Sequence, residues 1–115
     1  MTDFPQRGEI WLVRLDPTVG SEIKKTRPTL IVSNNTSNQC SNLVTILPIS
    51  DKSSKIFPFE VEISDSATGL SKPSKIRCNQ VRTVDKERLV KKLGNASREL
   101  VPKIEEALKL HLGIN

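Results

Sequence analysis

Tyrosine is absent from this chain, tryptophan and histidine occur once each, and phenylalanine three times. A core with so few rings must be filled mainly by isoleucine, leucine and valine. One histidine cannot complete a usual zinc set, and the two cysteines, Cys40 and Cys78, lack C-x-x-C spacing. No apolar run approaches the roughly 20 residues that cross a bilayer, and the opening MTDFPQRGE carries no apolar signal region. A phosphate-cradling glycine loop, a G-x-S-x-G elbow and metal-binding motifs are also missing. These absences set the expectation of a cytoplasmic protein with both thiols reduced, no metal, no cofactor and no membrane contact.

What is present is a globular balance with surplus positive charge. Of 115 residues, 36% are hydrophobic and 27% charged, with a formal net charge of +5 and a pI near 9.5. That length suits a single domain, residues 1–115, with a core that needs no staples. The basic balance points to a polyanionic partner.

GEIWLVRL (Gly8 to Leu15) reads as a strand buried on both sides, and PTLIVS after Arg27 as a second, β-branched one. NLVTILPIS (Asn42 to Ser50) is a third, with Pro48 marking a sheet edge or bulge. SNNTSNQCSN between them is turn-rich or briefly helical. PFEVEIS (Pro58 to Ser64) alternates, with Phe59, Val61 and Ile63 on one side and Glu60 and Glu62 on the other. SKIRCNQVRTV (Ser74 to Val84) reads as a fifth strand and RLVKKLG as a short sixth. Leu100, Ile104, Leu108 and Leu112 then recur at helical spacing, with Ser97 as N-cap. The pattern predicts a mainly β fold with a C-terminal α-helix: a small barrel or a strongly bent antiparallel sheet of five to six strands.

Polar residues gather where these strands end. Arg27 opens the second strand and Ser50 closes the third, so antiparallel neighbours would bring both to one end of the sheet. In the fifth strand Arg77 and Asn79 share one face, and Gln80 and Arg82 the other. The link between the first two strands holds about ten residues, where a hairpin needs two to five. His111, near the end of the helix pattern, reads as a surface or packing residue.

Four fragments in order, RGEIWLVRLDPTVGSE, TRPTLIVSNN, TILPIS and IRCNQVRTVDKERL, make the chain resemble the MazF/PemK/Kid family of toxin endoribonucleases over about residues 7 to 112. The resemblance implies an SH3-like barrel that forms a homodimer, cuts single-stranded RNA at short specific sequences without metal, and arrests growth by stopping translation. It also implies silencing by a cognate antitoxin with a flexible acidic segment. Carried over by position, Arg27 acts on the scissile phosphate and Ser50 stands where the family has a Thr or Ser. Glu22 of the GSE step lies near the RNA, and Arg77, Asn79 and Gln80 fall in the family's R-C-D-Q stretch, with Arg82 just beyond. In the long loop, Lys24 and Lys25 would attract phosphates. Asn79 departs from the aspartate that some members are proposed to use as a base, and an amide takes no proton at neutral pH.

The implied chemistry is attack of a 2′-hydroxyl on the adjacent phosphate, leaving a 2′,3′-cyclic phosphate and a 5′-hydroxyl. Arg27 offers a planar fork of donors for the phosphoryl oxygens. Two other readings stay open at this stage. One is a non-catalytic toxin of the same fold that binds a protein such as gyrase; the other is a barrel that holds RNA without cutting it. Leu43, Ile46, Leu108 and Ile114 are surplus apolar residues that could face a second subunit.

Overall fold

β-branched and leucine-rich runs separated by Gly, Pro and Asn make strands, and the computed structural model, which describes residues 3–52, 55–64 and 66–115, contains seven among them. They are β1 (Glu9–Arg14), β2 (Thr26–Ile31), β3 (Leu43–Asp51), β4 (Glu60–Ile63), β5 (Ser74–Arg77), β6 (Arg82–Asp85) and β7 (Leu89–Asn95). The sheet runs β4-β5-β3-β2-β1-β7, with β6 added to β3, and every pairing is antiparallel. A short helix, α1 (Asn35–Cys40), joins β2 to β3, and α2 (Val101–Leu112) closes the fold. Asn34 caps α1 by accepting the Ser37 N–H at 2.8 Å.

β3 organises the sheet. Its first half, Leu43 to Ile46, pairs with β6, and its last residues, Ile49 to Asp51, pair with β5. Pro48 is buried between these two ladders. The expectation that Pro48 marks an edge is therefore corrected: a residue with no N–H sits where a central strand changes partner, so neither ladder loses a donor.

That change of partner also corrects the fifth strand. Ser74 to Val84 is not continuous but breaks into β5 and β6 at a turn over Cys78 and Asn79, with the Gln80 N–H bonding the Arg77 carbonyl at 3.0 Å. The count becomes seven instead of five or six. Alternation across Ser74 to Val84 is lost with it, so the two-face assignment of Arg77, Asn79, Gln80 and Arg82 no longer holds.

Bending gives two apolar clusters. Ile10, Leu30, Leu47, Ile49, Val61, Ile63 and Ile76 meet Ile104 and Ala107 of α2. Val13, Leu15, Ile31, Val44, Ile46 and Val84 form the second, with Trp11, Ile23 and Leu89 against it. Ile46 is thus core and unavailable to a partner, and Leu108 packs half-buried on the first cluster. Leu43 and Ile114 remain exposed.

The helix starts later than its pattern suggests. Ser97 precedes a 3-10 turn, Arg98–Leu100, and its side chain makes no capping bond. Pro102 falls in the first turn of α2, where its missing N–H costs nothing. Leu112 is exposed and Ile104 and Ala107 carry the buried face instead. Both cysteines are free, and burial, with help from the Glu60 charge, pushes the Cys78 thiol up to about 12. No helix among the described residues is long and apolar enough to cross a membrane.

Candidate active site

The β2–β3 register brings the strand-end residues together. The ladder ends where Thr29 lies opposite Pro48, and Arg27 and Ser50 each lie two residues beyond that pair, at the same end of the sheet. Both line one cavity of about 340 Å³, walled by Pro28, Ile49, Leu70 and Leu93. Gly69 shapes that wall. Its φ is +75°, and a Cβ there would lie 2.1 Å from the Leu93 carbonyl oxygen, so only glycine lets the segment after β4 press onto β7.

Neither functional group is committed elsewhere. The Arg27 guanidinium is exposed, pairs with no carboxylate among the described residues, and spends only Nε, on the Lys24 carbonyl at 3.2 Å. The Ser50 Oγ is buried without a hydrogen-bond partner. A guanidinium with unspent donors and an unpaired hydroxyl lining one cavity can hold a tetrahedral anion. Among the described residues the one carboxylate lining the cavity, Asp51, is held by Lys72 at 2.9 Å, a pair that sequence spacing gave no reason to expect.

A second cavity, about 400 Å³, lies alongside. Leu15, Ile23, Pro48 and Val81 wall it, and Ser21, Glu22, Asn79, Gln80 and Arg82 supply its polar groups. Pro48 here and Ile49 and Ser50 next door are consecutive on β3, so the two cavities adjoin. The long loop is tied to this site: Gln80 Oε1 accepts the Ile23 N–H at 2.8 Å. Glu22 Oε1 accepts the Val19 N–H at 2.5 Å, and Arg82 donates to the Leu15 carbonyl at 2.6 Å. The Asn79 Oδ1 is buried and unpartnered.

Lys24 and Lys25 are exposed on the loop and line neither cavity. Lys25 is held at a φ of 72°. Its N–H reaches Asp16 Oδ2 at 3.0 Å and its carbonyl receives the Leu15 N–H at 2.8 Å, which offsets the left-handed strain.

Arg77 stands apart from both cavities. Its Nε lies 2.8 Å from Glu60 Oε2, an ion pair on a carboxylate only 1% exposed. Lys75 Nζ reaches the other oxygen at 3.1 Å, and the Phe57 N–H adds a bond of 3.0 Å. Alternation had put Glu60 on the solvent side. Instead the segment before β4 covers it, and two cations from β5 neutralise it. Among the described residues, no three His, Cys, Asp or Glu side chains cluster as metal ligands. A larger groove of about 600 Å³, between β4 and α2, shares no lining residue with either cavity.

With this geometry in view, the comparisons with known proteins are direct. Residues 6–112 match the model of the PemK-like, MazF-like toxins of type II toxin–antitoxin systems. The chain is 38% identical over 114 residues to endoribonuclease MazF9 of Mycobacterium tuberculosis, covering 95% of this chain and 97% of that one. A mycobacterial endoribonuclease solved in complex with its cognate antitoxin superposes with a TM-score of 0.80 at 25% identity, over 96% of this chain and 97% of that one. MazF from Deinococcus radiodurans gives a TM-score of 0.85 at 22% identity, over 98% and 100%, a likeness of fold. The chain belongs to the family of PemK-like, MazF-like toxins of type II toxin–antitoxin systems.

Proposed function

We propose that this chain is a toxin endoribonuclease, a single domain over residues 1–115, which cuts single-stranded RNA without metal in the cytoplasm and so stops translation. The observation that carries this reading is one cavity lined by both Arg27, unpaired with any carboxylate among the described residues, and the unpartnered Ser50 hydroxyl. A phosphodiester seated there meets a planar cation at its non-bridging oxygens. As the 2′-oxygen bonds to phosphorus and the 5′-oxygen departs, negative charge grows on those oxygens, and Arg27 is already in place to hold it. Ser50 donates to the same phosphate or orients the attacking hydroxyl. The 2′-proton passes to water, the 5′-oxygen takes one from water, and the products carry a 2′,3′-cyclic phosphate and a 5′-hydroxyl. Asn79 is an amide and does not serve as the base.

Glu22, Asn79, Gln80 and Arg82 contact the RNA beside the cut, and Lys24 and Lys25 draw its backbone towards the loop. Arg77 joins them with the guanidinium nitrogens that Glu60 leaves free. The active form is a symmetric dimer, one patch of each subunit meeting its copy. A cognate antitoxin silences it by laying a flexible acidic segment over Arg27, a segment that folds as it binds. The mycobacterial relative solved with its antitoxin supports that regulation.

The test is incubation of the purified protein with a long unstructured RNA in EDTA, followed by mapping of the new ends. Discrete fragments with cyclic phosphate and 5′-hydroxyl termini are expected. RNA that stays intact overturns the reading, and RNA bound but intact would favour a binding barrel.

A further inference from the structure

The second cavity has the make-up of a receptor for a planar heterocycle. Its volume of about 400 Å³ falls among ordinary small-molecule sites, and Leu15, Ile23, Pro48 and Val81 give it apolar walls on which a ring can lie. Its polar groups divide into spent and unspent. Gln80 Oε1 is taken by the Ile23 N–H, and one Arg82 nitrogen by the Leu15 carbonyl. Asn79 Oδ1 is buried with no partner, and the Glu22 carboxylate uses one oxygen on Val19 and keeps the other. The open position that is buried is therefore an acceptor, Asn79 Oδ1, and the exposed Glu22 carboxylate lies in the same lining. A buried acceptor left unpaired is costly unless a ligand completes it. The Gln80–Ile23 bond fixes the loop bearing Glu22 against the turn bearing Asn79, so the two acceptors are held in advance of binding.

We propose that this cavity is a nucleobase pocket beside the cleaved phosphodiester that selects bases bearing an exocyclic amino group, adenine, cytosine or guanine, over uracil. This deepens the ribonuclease reading and rests on it. An amino group offers two N–H donors, one for Asn79 Oδ1 and one for the free Glu22 oxygen. Uracil offers a single ring N–H between two carbonyl oxygens, and those oxygens would be turned towards a carboxylate. Arg82 and the Gln80 amide nitrogen retain donors for the ring nitrogens once the amino group is seated. Asn79, at the position where some relatives have aspartate, then reads sequence instead of moving a proton.

The experiment starts from a mapped cut and uses synthetic RNAs in which each flanking base in turn loses its amino group: adenine to purine, cytosine to 2-pyrimidinone, guanine to hypoxanthine. At one flanking position the deletion should lower kcat/KM by about tenfold, mostly through KM, the scale of one unsatisfied hydrogen bond. Asn79→Ala should narrow the difference between the two RNAs of that pair, whereas Asn79→Asp, which keeps an acceptor, should still discriminate as the native protein does. If Asn79→Ala does not fold, the substrate pairs on the native protein and on Asn79→Asp decide alone. Indifference to every amino deletion, or mapped cuts with uracil at all flanking positions, overturns the pocket assignment while the nuclease stands. Failure to cut any RNA overturns the nuclease reading itself.

Discussion

Replacing Arg27 by alanine separates chemistry from folding, because the side chain does little for the second. It is exposed, and among the described residues its one hydrogen bond runs from Nε to the Lys24 carbonyl at 3.2 Å. Surface changes of this kind stay within about 0.5 kcal/mol, which moves the melting temperature of a chain this size by roughly 2 °C. The chemical loss should be far larger. A preorganised donor aimed at developing oxyanion charge is worth about 2.7–4 kcal/mol, or roughly 100- to 1,000-fold in rate. Arg27→Lys keeps the charge but loses the planar fork, so its rate should fall between the two. Single-turnover cleavage of a short RNA spanning a mapped site, run in EDTA with saturating protein, measures the step directly. Cleavage by Arg27→Ala within about threefold of the native rate would remove Arg27 from the chemistry. A fall in melting temperature of more than about 5 °C would mean that the fold, not the phosphate contact, had been lost.

Ser50→Ala should also cut poorly while Ser50→Thr, which keeps the hydroxyl, retains much of the activity; equal losses in the same assay would make packing the cause. Glu60→Gln should destabilise the protein by about 3–5 kcal/mol, because it leaves Lys75 and Arg77 facing a neutral group in a nearly dry site. Urea unfolding measures this, and Glu60→Leu combined with Lys75→Met should lose less than Glu60→Leu alone. At Glu9, burial alone would raise the carboxyl, but the Gln6 N–H, the Trp11 indole and Lys92 outweigh it and hold the group below its ordinary 4.5. A depressed carboxylate stabilises above the unfolded value and loses that contribution as pH falls through the folded one. Unfolding free energy should therefore drop below about pH 4.5, and Glu9→Gln should flatten that acid limb; an unchanged limb would show that other carboxylates set it. Light scattering should give the mass of a dimer at micromolar concentration, and Leu43→Lys should yield monomers if the exposed Leu43 lies in the contact; a native monomer that cuts at full rate would refute the dimer.

The parts of the site that could be read from sequence are those that local pattern controls. Where a β-branched run starts and stops is written in its own residues, and an antiparallel neighbour then brings Arg27 and Ser50 to one end of the sheet. Lys75 and Glu60 were not legible. Alternation put Glu60 on the solvent side, and nothing nearby in sequence announces that β5 pairs two cations with it or that the segment before β4 bonds Glu60 and Lys75. The break at Cys78 was hidden for a related reason. Ile76, Cys78 and Val84 are buried and share one parity, so the segment reads as one strand although Gln80 and Arg82 interrupt that face between them. What ends β5 is the change of partner along β3, a contact between distant segments. That same break carries Asn79 and Gln80 out of the ladder and into the cavity beside Ser50, where an unsatisfied amide oxygen faces a space the size of a ligand site. Had the strand continued as its pattern suggests, Asn79 would have lain on a sheet face; the turn instead places it in the lining of a cavity.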